Sequence, residues 1–162
     1  MALIDRIEID LARQTLTTYR DAGLQASYPV STARNGAGEM MDSERTPRGR
    51  HLIAAKIGAG CAADTVFVAR CPTGEVYSEA LAADFPGRDW ILTRILWLAG
   101  LDHGYNSGGD RDTGARYIYI HGTPASTLLG APGSRGCVRM RNRDIIELFE
   151  QVAIGTQVHI FE

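Results

Sequence analysis

The sequence predicts a mostly β fold in a single domain, with one helix packed on the sheet near the C-terminal end. Three observations carry that prediction. Apolar and polar residues alternate with a period of two over stretches such as 6–11, the pattern of a half-buried strand. Clusters of Gly, Pro, Asn and Asp cut the chain into short extended lengths. Helical spacing framed by a start and a stop signal is found over 142–155. At 162 residues the chain has the length of one domain, 1–162, able to bury roughly two-thirds of its unfolded surface in a single core.

In chain order, Ile7, Ile9 and Leu11 alternate with Arg6, Glu8 and Asp10 and make a first strand. Asp21-Ala22-Gly23 reads as a hairpin loop before a strand over 24–31. Residues 35–49 carry three glycines, a proline and mixed charges, and are expected to be a long loop. A strand follows over 51–59, and 65–70 should pair with 75–78 around Pro72-Thr73-Gly74. Residues 90–99 fit either a buried strand or one face of a helix, because their apolar run satisfies both periods. Residues 102–115 form a loop able to shape a pocket rim, and 116–120 a strand that Gly122-Thr123-Pro124 ends. Asn142 or Asp144 can cap the helix, with Glu147 at capping-box spacing from Asp144. Ile145, Leu148, Phe149 and Val152 share one helical face, Gly155 suits the stop, and 157–161 adds a last strand.

Composition excludes several classes of partner. A net charge of −2, with both signs mixed along the chain, argues against nucleic acid and against a charged membrane surface. No uncharged apolar run approaches the ~20 residues of a membrane span. Lys56 is the only lysine, so arginine dominates the cations, and its planar fork bonds carboxylates in pairs. Asp5, Arg6, Glu8 and Asp10 place charge too early for a secretory signal, which leads to the expectation of a soluble, cytoplasmic protein, or a periplasmic one if a leader has been trimmed. In a reducing compartment Cys61, Cys71 and Cys137 stay free, the first two as structural residues; a Cys61–Cys71 disulfide is the alternative. No C-x-x-C pair occurs and the four histidines are scattered, so neither a zinc site nor any other cofactor is expected.

The chemistry is concentrated in Tyr117-Ile-Tyr119-Ile-His121-Gly122-Thr-Pro and, after a loop, Ser134-Arg135-Gly136-Cys137-Val-Arg139-Met140. A thiol and an imidazole sixteen positions apart flank that loop, a candidate nucleophile and its base. His121 is expected at a strand end. A thiol near its reference pKa of about 8.5 is only slightly ionised at neutral pH, so a reactive Cys137 needs a neighbouring base or cation; His121, Arg135 and Arg139 could serve. The plainer alternative is a buried packing thiol and an unrelated histidine. Arg139 can bind a substrate carboxylate or hold the loop in an ion pair. Arg135 can add to the positive field or stay solvated, and His103 can touch substrate or sit as a solvated loop residue. Ser134 and Tyr119 join the substrate-binding candidates.

These residues resemble the L,D-transpeptidase catalytic domain, or YkuD, family, whose signature is a His followed after a loop by Ser/Thr-x-Gly-Cys-x-Arg. Tyr28-Pro-Val-Ser-Thr32, Asn35-Gly36 and Thr46-Pro47-Arg48-Gly49 are similar to the family's N-terminal half, so the resemblance spans nearly the whole chain. One departure is Arg135, where many members carry His, and no role for an imidazole passes to that position. The resemblance implies a β-sandwich with one C-terminal helix and a strand over 90–99. It also implies that the Gly122 carbonyl orients His121 as base for Cys137; the N–H groups of Gly136 and Cys137 are the expected oxyanion donors. The implied substrate is a peptidoglycan tetrapeptide stem or muropeptide, cut between diaminopimelate and terminal D-Ala through a Cys137 thioester. Water as acceptor makes an L,D-carboxypeptidase of muropeptide recycling, which a cytoplasmic location favours; an amine makes 3-3 cross-links. A β domain that binds such fragments without catalysis is the alternative of another class.

Overall fold

The computed structural model describes residues 3–162. Strand β1 (Arg6–Asp10) precedes β2 (Thr15–Arg20), which turns into β3 (Gly23–Ser31) through Asp21 and Ala22. Both turn residues have positive φ, 50° and 64°, which is what a two-residue hairpin turn matched to the strand twist requires. There follow β4 (Gly49–Ile57), β5 (Thr65–Val68), β6 (Cys71–Val76), a short helix α1 (Glu79–Asp84), β7 (Ile91–Gly100), β8 (Tyr119–Thr123) and β9 (Val138–Arg141). Helix α2 (Asn142–Gln151) and β10 (Gln157–Phe161) complete the chain.

Hydrogen bonding links the strands in the order β4-β10-β1-β2-β3-β9-β8-β7, and β7 pairs back to β4, so the ladder of the expected sandwich closes on itself. The β5–β6 hairpin continues from β7. β1 runs parallel to β10, and β8 parallel to β9. The enclosed core is built from Ile7, Ile9, Leu16, Val30, Ile53, Leu96, Ile120, Val138, Met140 and Ile160. Helix α2 closes it, laying Ile145, Leu148 and Phe149 against the β7–β9 side.

β7 and β8 are covered on both faces. Leu96, Leu98 and Ile120 face the main core, while Ile95 and Tyr119 join Phe67 in a smaller cluster on the other side, with Trp97 and Cys137 packed against it. A strand buried on both faces loses its alternation. For that reason 90–99 read ambiguously, and it is a strand.

Four local expectations change. The β5–β6 turn is Ala69-Arg70, both at positive φ, and Pro72 lies within β6, where it pairs with Phe67 on the outer strand that tolerates a missing N–H. Cys71, read as structural, is exposed there. Helix α1 was not expected; Ser78 Oγ accepts from Leu81 N at 3.0 Å and caps it. Neither proposed cap of α2 acts as one, because the helix starts at Asn142 itself. Asn142 instead accepts from Thr93 Oγ1 at 2.7 Å and donates to Asp64 at 2.8 Å, and Glu147 accepts from Tyr28 OH at 2.9 Å.

Candidate active site

β8 and β9 place the chemistry. In their parallel register Ile120 pairs with Val138 and His121 with Arg139, so side chains alternate together across the two strands. Ile120, Val138 and Met140 turn into the core, and Tyr119, His121, Cys137 and Arg139 take the opposite face. The sequence placed His121 at a strand end; it is the third of five strand residues and only 1% exposed. The thiol, on the residue just before β9, and the imidazole, within β8, are therefore brought to one face.

The loop before Cys137 is tied from inside. Ser134 Oγ donates to the Cys137 carbonyl at 2.6 Å and accepts from Gly136 N at 3.1 Å. Thr46 Oγ1 donates to the Gly136 carbonyl at 2.8 Å while accepting from Ala33 N at 3.0 Å. Gly136 sits at φ 133°, and a Cβ there would press on Ile118 and the Arg45 carbonyl, so glycine is required. The bond to Ser134 bears on the expected oxyanion donors. Gly136 N–H is already engaged, so in this arrangement it is not free for an oxyanion and the Cys137 N–H is left from the expected pair.

His121 Nδ1 lies 2.7 Å from the Gly122 carbonyl. A carbonyl can only accept, so Nδ1 carries the proton and Nε2 presents a lone pair. Gly122 must be small, because α2 starts directly over it: a Cβ would collide with Asn142 Oδ1 and the Leu92 carbonyl. Burial lowers the His121 pKa and keeps the ring neutral, with Gly122 and Asp89 acting the other way.

Cys137 is half-buried, and its thiol donates to the Tyr117 carbonyl at 3.4 Å while accepting from Tyr119 N at 3.3 Å. Burial pushes the thiol up to about 12, against the pull of the Tyr119 N–H, Arg139 and Arg116. The pair thus rests as neutral thiol and neutral imidazole.

Beside them opens a cleft of about 360 Å³, lined by Ser134, Arg135, Arg139, Thr123, Asp89 and Trp90 among others. His121 and Cys137 do not line it; their face neighbours Thr123 and Arg139 do. A second cavity of about 260 Å³ lies on the Tyr117 side, and Arg135 and Glu44 line both. Arg139 is in an ion pair, 2.9 Å from Asp89, and also donates to Gly133 O at 3.2 Å. Tyr119 OH accepts from Arg70 at 2.9 Å. His103 is exposed in the 102–115 loop and lines neither cavity.

Three residues near the site were not singled out from the sequence. Asp89 acts electrostatically on both His121 and Cys137. Arg116 lowers the thiol pKa and ties the long loop down through Gly38 O and Arg45 O. Thr46 holds Gly136. Only Thr46 had a local signal, since it opens the Thr-Pro-Arg-Gly stretch.

The family model of the L,D-transpeptidase catalytic domain, YkuD, matches residues 4–160, and this chain belongs to that family of enzymes. Among curated relatives it is 42% identical over 97 residues to "Probable L,D-transpeptidase YbiS" of Escherichia coli strain K12, covering 56% of this chain and 27% of that protein. It is 42% identical over 62 residues to "Probable L,D-transpeptidase ErfK/SrfK" of Salmonella typhimurium, covering 35% and 20%. The chain thus spans about a quarter of the length of these relatives. The fold is shared with L,D-transpeptidase 3 of Mycobacterium tuberculosis, at a TM-score of 0.60 and 17% identity over 97% of this chain and 60% of that one. The L,D-transpeptidase LdtMt1 in complex with imipenem gives 0.57 and 16%, over 96% and 58%. Among the described residues no helix is long and apolar enough to cross a membrane, and no group of three or more His, Cys, Asp or Glu could hold a metal.

Proposed function

We propose that the chain cleaves the bond between diaminopimelate and terminal D-Ala in a peptidoglycan tetrapeptide stem through a thioester at Cys137, and that water accepts the acyl group. The observation that carries this is the shared face of Cys137 and His121, with the free Nε2 of a fixed tautomer beside a cleft lined by arginines. Sγ attacks the carbonyl carbon as its proton passes to Nε2 of His121. The tetrahedral oxyanion meets the N–H of Cys137, and further donation awaits a shift of Ser134 off Gly136. The C–N bond then breaks, the imidazolium returns the proton to the departing amine of D-Ala, and water repeats the attack on the thioester. Because thiol and imidazole rest neutral, the proton moves as the S–C bond forms, and help of this kind is worth about 10² to 10⁴ in rate.

The names of the curated relatives favour a second acceptor, an amine of another stem, which gives a 3-3 cross-link. Free tetrapeptide and intact sacculi, each incubated with the protein and resolved by mass, separate the two. Tripeptide plus D-Ala is the expected product. Dimers from sacculi without tripeptide would replace hydrolysis by transfer, and neither product, with no carbapenem adduct on Cys137, would end the catalytic reading in favour of a binding domain.

A further inference from the structure

Asp89 and Arg139 meet in the cleft wall at 2.9 Å, with side chains 31% and 19% exposed, so a ligand can reach both. A half-exposed pair of this kind adds little to stability. Its partners are also incomplete. Among the described residues Asp89 uses one carboxylate oxygen, on Arg139, and Oδ2 takes no hydrogen bond. Arg139 gives one N–H to Asp89 and one to Gly133 O, leaving three of the five guanidinium N–H groups unengaged. Both side chains are held in place. Asp89 lies between Arg88, which pairs with Glu75 at 2.8 Å, and Trp90, which packs edge-on to Tyr77 at 5.1 Å. Arg139 is fixed by β9.

We propose that Asp89 and Arg139 form a two-charge subsite for a zwitterionic amino-acid end, Arg139 taking its carboxylate and Asp89 its ammonium. This rests on the stem-peptide reading, since the diaminopimelate side chain ends in an ammonium and a carboxylate on one carbon. Set against the pair, that end completes a square of alternating charges: guanidinium, carboxylate, ammonium, carboxylate. Each corner then has an opposite charge on both sides, and the existing ion pair need not break. A lone carboxylate would face Asp89 as a like charge, and a lone ammonium would face Arg139. The subsite therefore selects by repulsion as well as attraction. Arg139 pairs with His121 across the strands, which places this end of the ligand next to the reacting groups.

Binding tests it without turnover. The Cys137→Ala protein is titrated calorimetrically with three tetrapeptides whose third residue is meso-diaminopimelate, L-lysine (no side-chain carboxylate) or 2-aminopimelate (no side-chain amine). The diaminopimelate stem should bind about tenfold tighter than either analogue. Adding Asp89→Asn should abolish its advantage over the aminopimelate stem and keep its advantage over the lysine stem. Equal binding of the three stems, or no binding of any, overturns the subsite. So does an Asp89→Asn protein that loses both preferences, because Asp89 would then only be propping Arg139. D-Ala release by the unaltered protein is read in parallel. Selective binding without release sinks the cleavage chemistry and leaves the subsite standing.

Discussion

His51 and His121 are buried to the same degree, 0% and 1% exposed, and each turns Nδ1 toward a backbone carbonyl, Gly49 at 3.1 Å and Gly122 at 2.7 Å. They differ at the other nitrogen. His51 Nε2 accepts from Thr113 Oγ1 at 2.9 Å, so its ring is saturated. Among the described residues nothing bonds His121 Nε2, and that ring shares a face with a thiol. Burial lowers both pKa values, to about 4 for His51. Desolvation alone therefore does not separate the two histidines; the unsatisfied lone pair on the face of a thiol does, and the proposed mechanism rests on it.

The comparison can be broken most directly by exchange. His121→Gln should lower D-Ala release, or carbapenem acylation of Cys137 followed by mass, by about 10² to 10⁴-fold. His51→Gln should leave that rate in the range of the unaltered protein and lower the urea midpoint instead. Equal rate losses in the two variants would erase the distinction. The pH dependence sharpens it. His51 holds fewer protons folded than unfolded, so its contribution to stability is fully present above about pH 6.5 and is lost as the pH falls toward about 4. The unaltered protein should lose about 3 kcal/mol more than His51→Gln across that window, measured by urea unfolding at each pH. A parallel pH profile in the two proteins would show that His51 is not desolvated.

Around His121 the smaller effects concern the nucleophile loop. Ser134→Ala leaves the Cys137 carbonyl and the Gly136 N–H without their shared hydroxyl and should destabilise by about 1 to 3 kcal/mol, with slower acylation. Unchanged stability and rate would mean that another group or water takes over both bonds. The smallest expected difference is in labelling. With Cys137 held up to about 12 and half-buried, iodoacetamide at neutral pH should modify the exposed Cys71 first, and Cys137 should catch up as the pH rises. Tryptic mapping of the adducts reads the order.

How much of this was legible in the sequence follows from the range of the interactions. Period-two alternation marked β1, whose outer face is wet, and turn residues marked the β2–β3 hairpin. Doubly buried β7 lost that signal. The β5–β6 turn was misplaced because Pro72 and Gly74 are stronger punctuation than Ala69-Arg70, although the latter pair adopts the positive φ values. Asn142 and Asp144 have the composition of helix caps, but Asn142 bonds Thr93 and Asp64 in tertiary structure, and capping statistics contain no such partners. The His121 and Cys137 motifs were visible because their spacing is local to one strand–loop–strand unit. Asp89, Arg116 and Thr46 reach the site from 32, 5 and 75 residues before His121, and only the folded ladder brings them there.

The circuit of strands also bears on how this chain reaches its native state. β1 and β10, the first and last of the described strands, are direct neighbours, and among the described residues β10 is the strand that joins β1 to β4. Until β10 is in place the ring stays open, and β1 and β4 each keep an unpaired edge. Closure therefore waits on a pairing between strands far apart in sequence, and folding should be slow, as it is for topologies built on distant pairings. Removing the final five-residue strand would leave an open sheet that pairs with its own kind.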